Sequence, residues 1–163
     1  MYRPGHIGAA LLVYAPLGLL VLLVELPGLA VIGGVVSVSL ASLPDVDHRL
    51  PLVSHRGVTH TLLFAIAVGL SVGAAGWLFG GALDVATALQ LAAFGSVVGT
   101  ATVVSHLLAD VITPMGIRPF WPVSGRHYTF SLTRADNLIA NYLLLVAGSV
   151  AVAAVLAAGS SLS

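Results

Sequence analysis

Apolar stretches long enough to cross a bilayer alternate with short polar breaks along this chain. A hydrocarbon core about 30 Å thick takes roughly 20 apolar residues as helix. Five such stretches cover about residues 5–24, 29–43, 58–79, 84–112 and 136–158. The breaks between them are built from helix stops. Glu25-Leu26-Pro27-Gly28 ends the first, Pro44 the second, Gly80-Gly81 the third and Pro114 the fourth. The second is the shortest, about 15 residues or about 23 Å of helix, so a re-entrant segment is its alternative reading. The pattern predicts an all-α polytopic membrane bundle of five transmembrane helices, forming one domain over residues 1–163.

Composition strengthens that reading. Hydrophobic residues make up 58% and charged residues 7%, too little polar surface to cover a water-soluble domain. The arginines then set the expected orientation. With five spans, Arg3, Arg49, Arg56, Arg118, Arg126 and Arg134 all fall on one side. By the positive-inside rule that side is cytoplasmic, which predicts the N-terminus inside, the C-terminus outside and residence in the inner membrane. A re-entrant second stretch would strand Arg3 opposite the other five, so five spans are preferred. A cleaved signal peptide fits the first stretch poorly, because no small-x-small site follows it. The chain has no cysteine, which excludes disulfides, thiolate metal sites and a cysteine nucleophile. Zero net charge and the lack of a basic run argue against a nucleic-acid partner.

Small residues recur every four positions: Gly33, Ser37 and Ala41, then Gly69 and Gly73, then Gly95 and Gly99. In lipid such rows let helices approach closely, and packing is their expected role. The longest polar stretch, residues 114–135, mixes arginines with Phe120, Trp121, Tyr128 and Phe130, as suits a loop at headgroup depth.

The ionisable residues are distributed unevenly. All six histidines lie on the arginine side, together with Asp45, Asp47, Asp110 and Asp136. Only Glu25 and Asp84 lie opposite, both at helix ends. Three segments carry this polarity: Pro44-Asp45-Val46-Asp47-His48, His55-Arg56-Gly57-Val58-Thr59-His60, and Ser105-His106-Leu107-Leu108-Ala109-Asp110. His106 and Asp110 share a helix face, which continues through Thr102, Gly99 and Gly95 and should point into the bundle. Ionisable groups there are costly unless paired, hydrated or bound to a metal. Imidazole and carboxylate donors suit Zn²⁺, and also Mn²⁺ or Fe²⁺. His60 and Asp45 or Asp47 can complete such a shell, and His6 is placed to reach it. Other readings compete residue by residue. His106 and Asp110 could be a hydrogen-bonded pair joining helices, Asp45 and Asp47 loop acids facing Arg49, and His55 and His60 headgroup contacts. His48 and His127 read as surface residues. Convergence of four segments on one face favours the metal.

The motifs Leu43-Pro44-Asp45-x-Asp47-His48, His55-Arg56-Gly57-x-Thr59-His60 and Ser105-His106-x-x-x-Asp110-x-x-Thr113-Pro114-x-Gly116, followed by Phe120-Trp121-Pro122, resemble the YdjM-like family of membrane-bound metal-dependent hydrolases. The resemblance runs from His6 to about Phe130. It implies a distant relation to zinc-dependent phospholipase C, and ligand roles for His106 and Asp110, with Asp45 and His60 completing one site and His6 helping a second. The soluble enzymes carry a further His…His-x-x-x-Glu set. This chain has only His127 downstream and no glutamate after Glu25, so one or two ions, most simply zinc, are expected rather than three.

The expected chemistry is hydrolysis of a phosphoester, with a phospholipid as the candidate substrate and membrane lipids as partners. Asp47 is the candidate general base or bridging ligand, with His55 and Arg56 beside it as catalytic groups. Arg56 is also the anion clamp, at what should be a helix N-terminus, and Arg126 assists in substrate binding. Two rivals are a metal or proton transporter and a non-catalytic protein that binds metal or headgroups. Transport needs polar groups along a path, and the outer half has almost none beyond Asp84 and Gln90. A serine hydrolase built on Ser54 or Ser105 lacks the Gly-x-Ser-x-Gly turn.

Overall fold

The computed structural model describes residues 1–49 and 55–160. Ser54, weighed above as a nucleophile, lies outside them. Among the described residues there are five long helices, and each of the five predicted spans corresponds to one: α1 (Arg3–Leu23), α2 (Pro27–Leu40), α3 (Leu62–Gly81), α4 (Val85–Val111) and α5 (Leu138–Ser160). α1, α3, α4 and α5 are long and apolar enough to cross a membrane, and so is the second span when α2 is taken together with the turn that follows it, Pro27–Arg49.

Local chemistry sets their ends. α1 and α2 carry a proline in the first turn, where a missing N–H costs nothing. Asp84 caps α4 by accepting from the Thr87 amide at 2.9 Å, the helix-end role expected of it. Thr61 caps α3, its hydroxyl accepting from the Phe64 amide at 3.1 Å. That cap places the start of α3 later than the apolar run suggested. The preceding residues, Val58–His60, form a separate 3₁₀ turn. α2 likewise stops at Leu40, and Pro44–Arg49 is a second 3₁₀ segment. Both motif segments before α3 therefore sit on short, tight turns, which can aim successive side chains inward where a continuous helix would rotate them away.

α3 packs along α4, α1 packs along α5, and α1 also meets α2 and α4. The glycine rows explain these seams. A Cβ on Gly69 or Gly73 would collide with Thr100 or Ser96 of α4, and one on Gly8 would meet the α5 backbone at Leu144. Gly33 lies against Tyr14 and Phe94, and Ser37 accepts from the Thr102 hydroxyl at 3.2 Å. Ala65, Val68, Val103, Leu107 and Ile117 form the apolar core beside the polar end.

The segment from 112 to 137 folds back over the end of α4. Phe130 and Leu132 donate to the carbonyls of Val111 and Ile112, each at 2.8 Å, satisfying backbone groups the helix end would leave open. Ile117 and Tyr128 pair as an antiparallel bridge. Phe120, Trp121 and Phe130 remain exposed on its outer side, the arrangement expected of an interfacial loop.

Candidate metal centre

Four chain segments meet at one end of the bundle. α1 supplies His6, the first 3₁₀ segment Asp45 and Asp47, the second His60, and α4 His106 and Asp110. His6, His60 and His106 are fully buried, and Asp47 and Asp110 nearly so. Donor atoms of His6, Asp45, His106 and Asp110 all lie within 4.8 Å of one another.

Hydrogen bonds on the far side of each ring fix which nitrogen faces the centre. His106 Nδ1 lies 2.8 Å from the Ala41 carbonyl, which can only accept, so Nδ1 carries the proton. The Thr59 hydroxyl gives its proton to Asp47 at 2.9 Å, so its oxygen accepts from His60 Nδ1 at 3.0 Å, and that Nδ1 is protonated too. In the neutral rings both Nε2 atoms then present lone pairs, and they face each other at 3.2 Å. Two lone pairs at that distance repel unless a proton or a metal ion lies between them. The carboxylates make the same demand. Burial opposes a charge on His60, yet Asp110 and Asp45 outweigh it and hold its pKa above the ordinary value.

The separations suit an ion. Ligands at about 2.0–2.1 Å around a tetrahedral zinc stand about 3.3–3.4 Å apart. His60 Nε2 is 3.3 Å from Asp110 Oδ2 and 3.6 Å from Asp45 Oδ1. His106 Nε2 is 3.7 Å from the first of these oxygens and 3.5 Å from the second. His6 approaches the other oxygen of each carboxylate, Nε2 lying 3.6 Å from Asp45 Oδ2 and from Asp110 Oδ1. Both His6 nitrogens and Asp110 Oδ2 are buried without a hydrogen-bond partner, which leaves Asp110 Oδ2 and, in the neutral ring, His6 Nε2 free to bind a metal. The set can therefore hold a divalent cation.

Several expectations change once the contacts are visible. Asp47 sits behind the histidines. One of its oxygens accepts from His55 Nδ1 at 3.0 Å; the other accepts from the Arg56 amide and the Thr59 hydroxyl, each at 2.9 Å. Those bonds orient His55 and His60 rather than aim a base at the cavity. Arg56 has a different neighbourhood from the one foreseen. The helix after it is a three-residue turn, too short to offer an N-terminal anion site. Its guanidinium donates to Asp110 Oδ1 at 2.9 Å, Thr113 Oγ1 at 3.0 Å and the Gly116 carbonyl at 3.1 Å. It balances Asp110 and ties α4 to the segment before α3. Its backbone takes the left-handed φ of 57°, a strained value for arginine that these bonds hold in place. Arg126 stands apart, its guanidinium 5.4 Å from the Tyr128 ring centroid. His127 donates to the Met115 carbonyl at 2.7 Å, as a surface residue would.

A cavity of about 700 Å³ opens over the cluster, lined by Asp45, His48, His55, Arg56 and, at its rim, Arg3 and Arg134. Arg126 does not line it. Sequence reasoning also missed Asn141. It is buried, accepts from the Tyr2 amide at 2.9 Å and donates to the Ala135 and Asn137 carbonyls at 3.0 and 2.7 Å. It thereby anchors the start of α1, and with it His6, against α5. A lone amide in an otherwise apolar helix was the available signal. The Met1 amine donates to Asp110 Oδ1 at 2.5 Å, completing that oxygen's surroundings.

No curated protein and no solved structure matches this chain. A family model does, over residues 1–162, and the chain belongs to the family it describes, the YdjM inner membrane proteins.

Proposed function

We propose that this protein is a metal-dependent hydrolase that cleaves a phosphoester, most simply that of a lipid, at the cytoplasmic face of the inner membrane. The observation that carries the reading is the pair of buried imidazole nitrogens, His60 Nε2 and His106 Nε2, facing each other at 3.2 Å between two carboxylates. That arrangement favours a bound cation over a hydrogen-bonded helix joint. His60, His106, Asp45 and Asp110 would hold the ion, with His6 as a further donor. A divalent cation held there would polarise a phosphoryl oxygen and would lower the pKa of bound water toward about 7.

The chain's own residues supply the rest. Asp47 holds His55 and His60 in the orientation that turns Nε2 away from it. Arg56 neutralises Asp110 and keeps α4 in register with the ligand turns. Arg3 at the rim would attract an anionic substrate, while Arg134 beside it is paired with Asp136 at 3.1 Å. The cavity opens at the end of the bundle that carries Trp121 and Phe120, the depth at which lipid headgroups lie. Ligands gathered at one end support a site rather than a transport path.

The test uses full-length protein in detergent or vesicles, with labelled phospholipids and water-soluble phosphodiesters as substrates. Turnover that a chelator abolishes and zinc or manganese restores is expected. Turnover insensitive to chelator, or equal in wild type and His106→Ala, overturns the assignment.

A further inference from the structure

A second group of donors lies beside the first. Asp45, Asp47, His48 and His55 each place one donor atom within 4.8 Å of the others. The His48 and His55 rings stack at 3.6 Å between centroids and 30° between planes. His6 and His106 stack at the same 3.6 Å in the first group. Each group is thus a stacked imidazole pair closed by carboxylates, and Asp45 belongs to both.

Three features show how the second group would bind. His55 Nδ1 is committed to Asp47 Oδ1 at 3.0 Å, so its Nε2 is left for a ligand. Asp47 backs His60 of the first group with its other oxygen at 3.3 Å, so one buried carboxylate orients a histidine in each group. Asp45, His48 and His55 all line the 700 Å³ cavity, and the Asp45 side chain is 26% exposed where Asp110 is 1%. The second group therefore faces incoming water and substrate, whereas the first is sealed beneath it.

We propose that His48, His55 and Asp45 form a second divalent-cation site, sharing Asp45 with the buried centre and taking zinc or manganese from the cavity side. His48, a surface residue by sequence, becomes a ligand. The proposal rests on the metal reading of the first centre. Exposure and fewer enclosed donors make the second ion the weaker bound and the first to leave on dialysis.

The experiment counts zinc per full-length chain in detergent for wild type, His48→Ala and His55→Gln. It is paired with manganese titration followed by electron paramagnetic resonance. Two zinc ions in wild type and one in each variant are expected, with a spin-coupled manganese signal in wild type that both variants lose. His48 is exposed, so its variant should fold. One zinc in all three proteins overturns the second site and leaves the first standing. Two in all three overturns the assignment of these histidines. No zinc in wild type overturns both readings.

Discussion

The two ends of this bundle meet the same problem, polar groups within a membrane, in opposite ways. At one end α1, α2 and α5 line an apolar cavity of about 350 Å³ with Leu11, Ala15, Gly18, Leu22, Val31 and Val152. Its one aromatic hydroxyl, on Tyr14, is capped by the Ala30 carbonyl. At the other end four segments bring histidines and aspartates together and leave several of their atoms without partners. Simple stabilisation would pair every such atom, because an unmatched buried polar group costs about 1–3 kcal/mol. The contrast teaches that the polar end is organised for a ligand, and the apolar end for packing and lipid.

The sharpest way to break the comparison is to remove the ligands. His106→Ala with Asp110→Ala should weaken zinc binding at the buried centre by more than about tenfold and abolish chelator-sensitive hydrolysis. Unchanged metal content would make the polar end a helix joint and erase the contrast. Next in size is a change at the α3–α4 seam, away from the centre. Gly69→Leu should destabilise the fold by about 1–3 kcal/mol, since Thr100 and the Ser96 carbonyl occupy the space a side chain needs. Thermal unfolding in detergent reads it, and zinc per folded chain should stay constant.

Asp47→Asn sharpens the distinction between holding a metal and orienting its ligands. The amide keeps the shape but weakens the bonds to His55 and His60, so zinc affinity should fall about 10–100-fold with the fold intact. A loss no larger than that of a surface variant would remove Asp47 from the centre. Acidity gives a graded effect. His60 has a raised pKa and must lose its proton to bind a cation. Zinc affinity should therefore be highest above that pKa and decline about tenfold per pH unit below it for each proton displaced. Calorimetry over a pH series measures the slope, and a flat profile would show that His60 is no ligand. The smallest effect belongs to the apolar end. Val31→Leu should shift stability by no more than about 0.5 kcal/mol and leave zinc content untouched.

The regular helices were legible because their causes are local. Hydrophobic length marked all five, and the small-residue rows identified the faces that meet. The ligand-bearing segments were legible as polar residues at the border of an apolar chain, where each has to be explained. The boundaries around residues 44 and 58 were less so. Two 3₁₀ turns and the Thr61 cap decided them, and these depend on what the turns pack against. Arg56 and Arg126 show the same limit. Sequence assigns both to substrate binding, whereas in the structure one arginine is held by Asp110, Thr113 and Gly116 and the other lies over Tyr128.

The chain's order of residues determined that it is a five-helix membrane bundle and that His6, Asp45, His60, His106 and Asp110 gather at one end. Hydrophobic burial and the cost of polarity in lipid depend on residue type and spacing, and both are written along the chain. Tertiary structure alone decided which atom of each side chain faces the centre. Asp47 stands behind two histidines, His48 stacks on His55, and Asn141 pins α1 to α5. Those outcomes rest on hydrogen bonds between residues far apart in sequence. Their directions exist only once the helices have packed and the turns have closed.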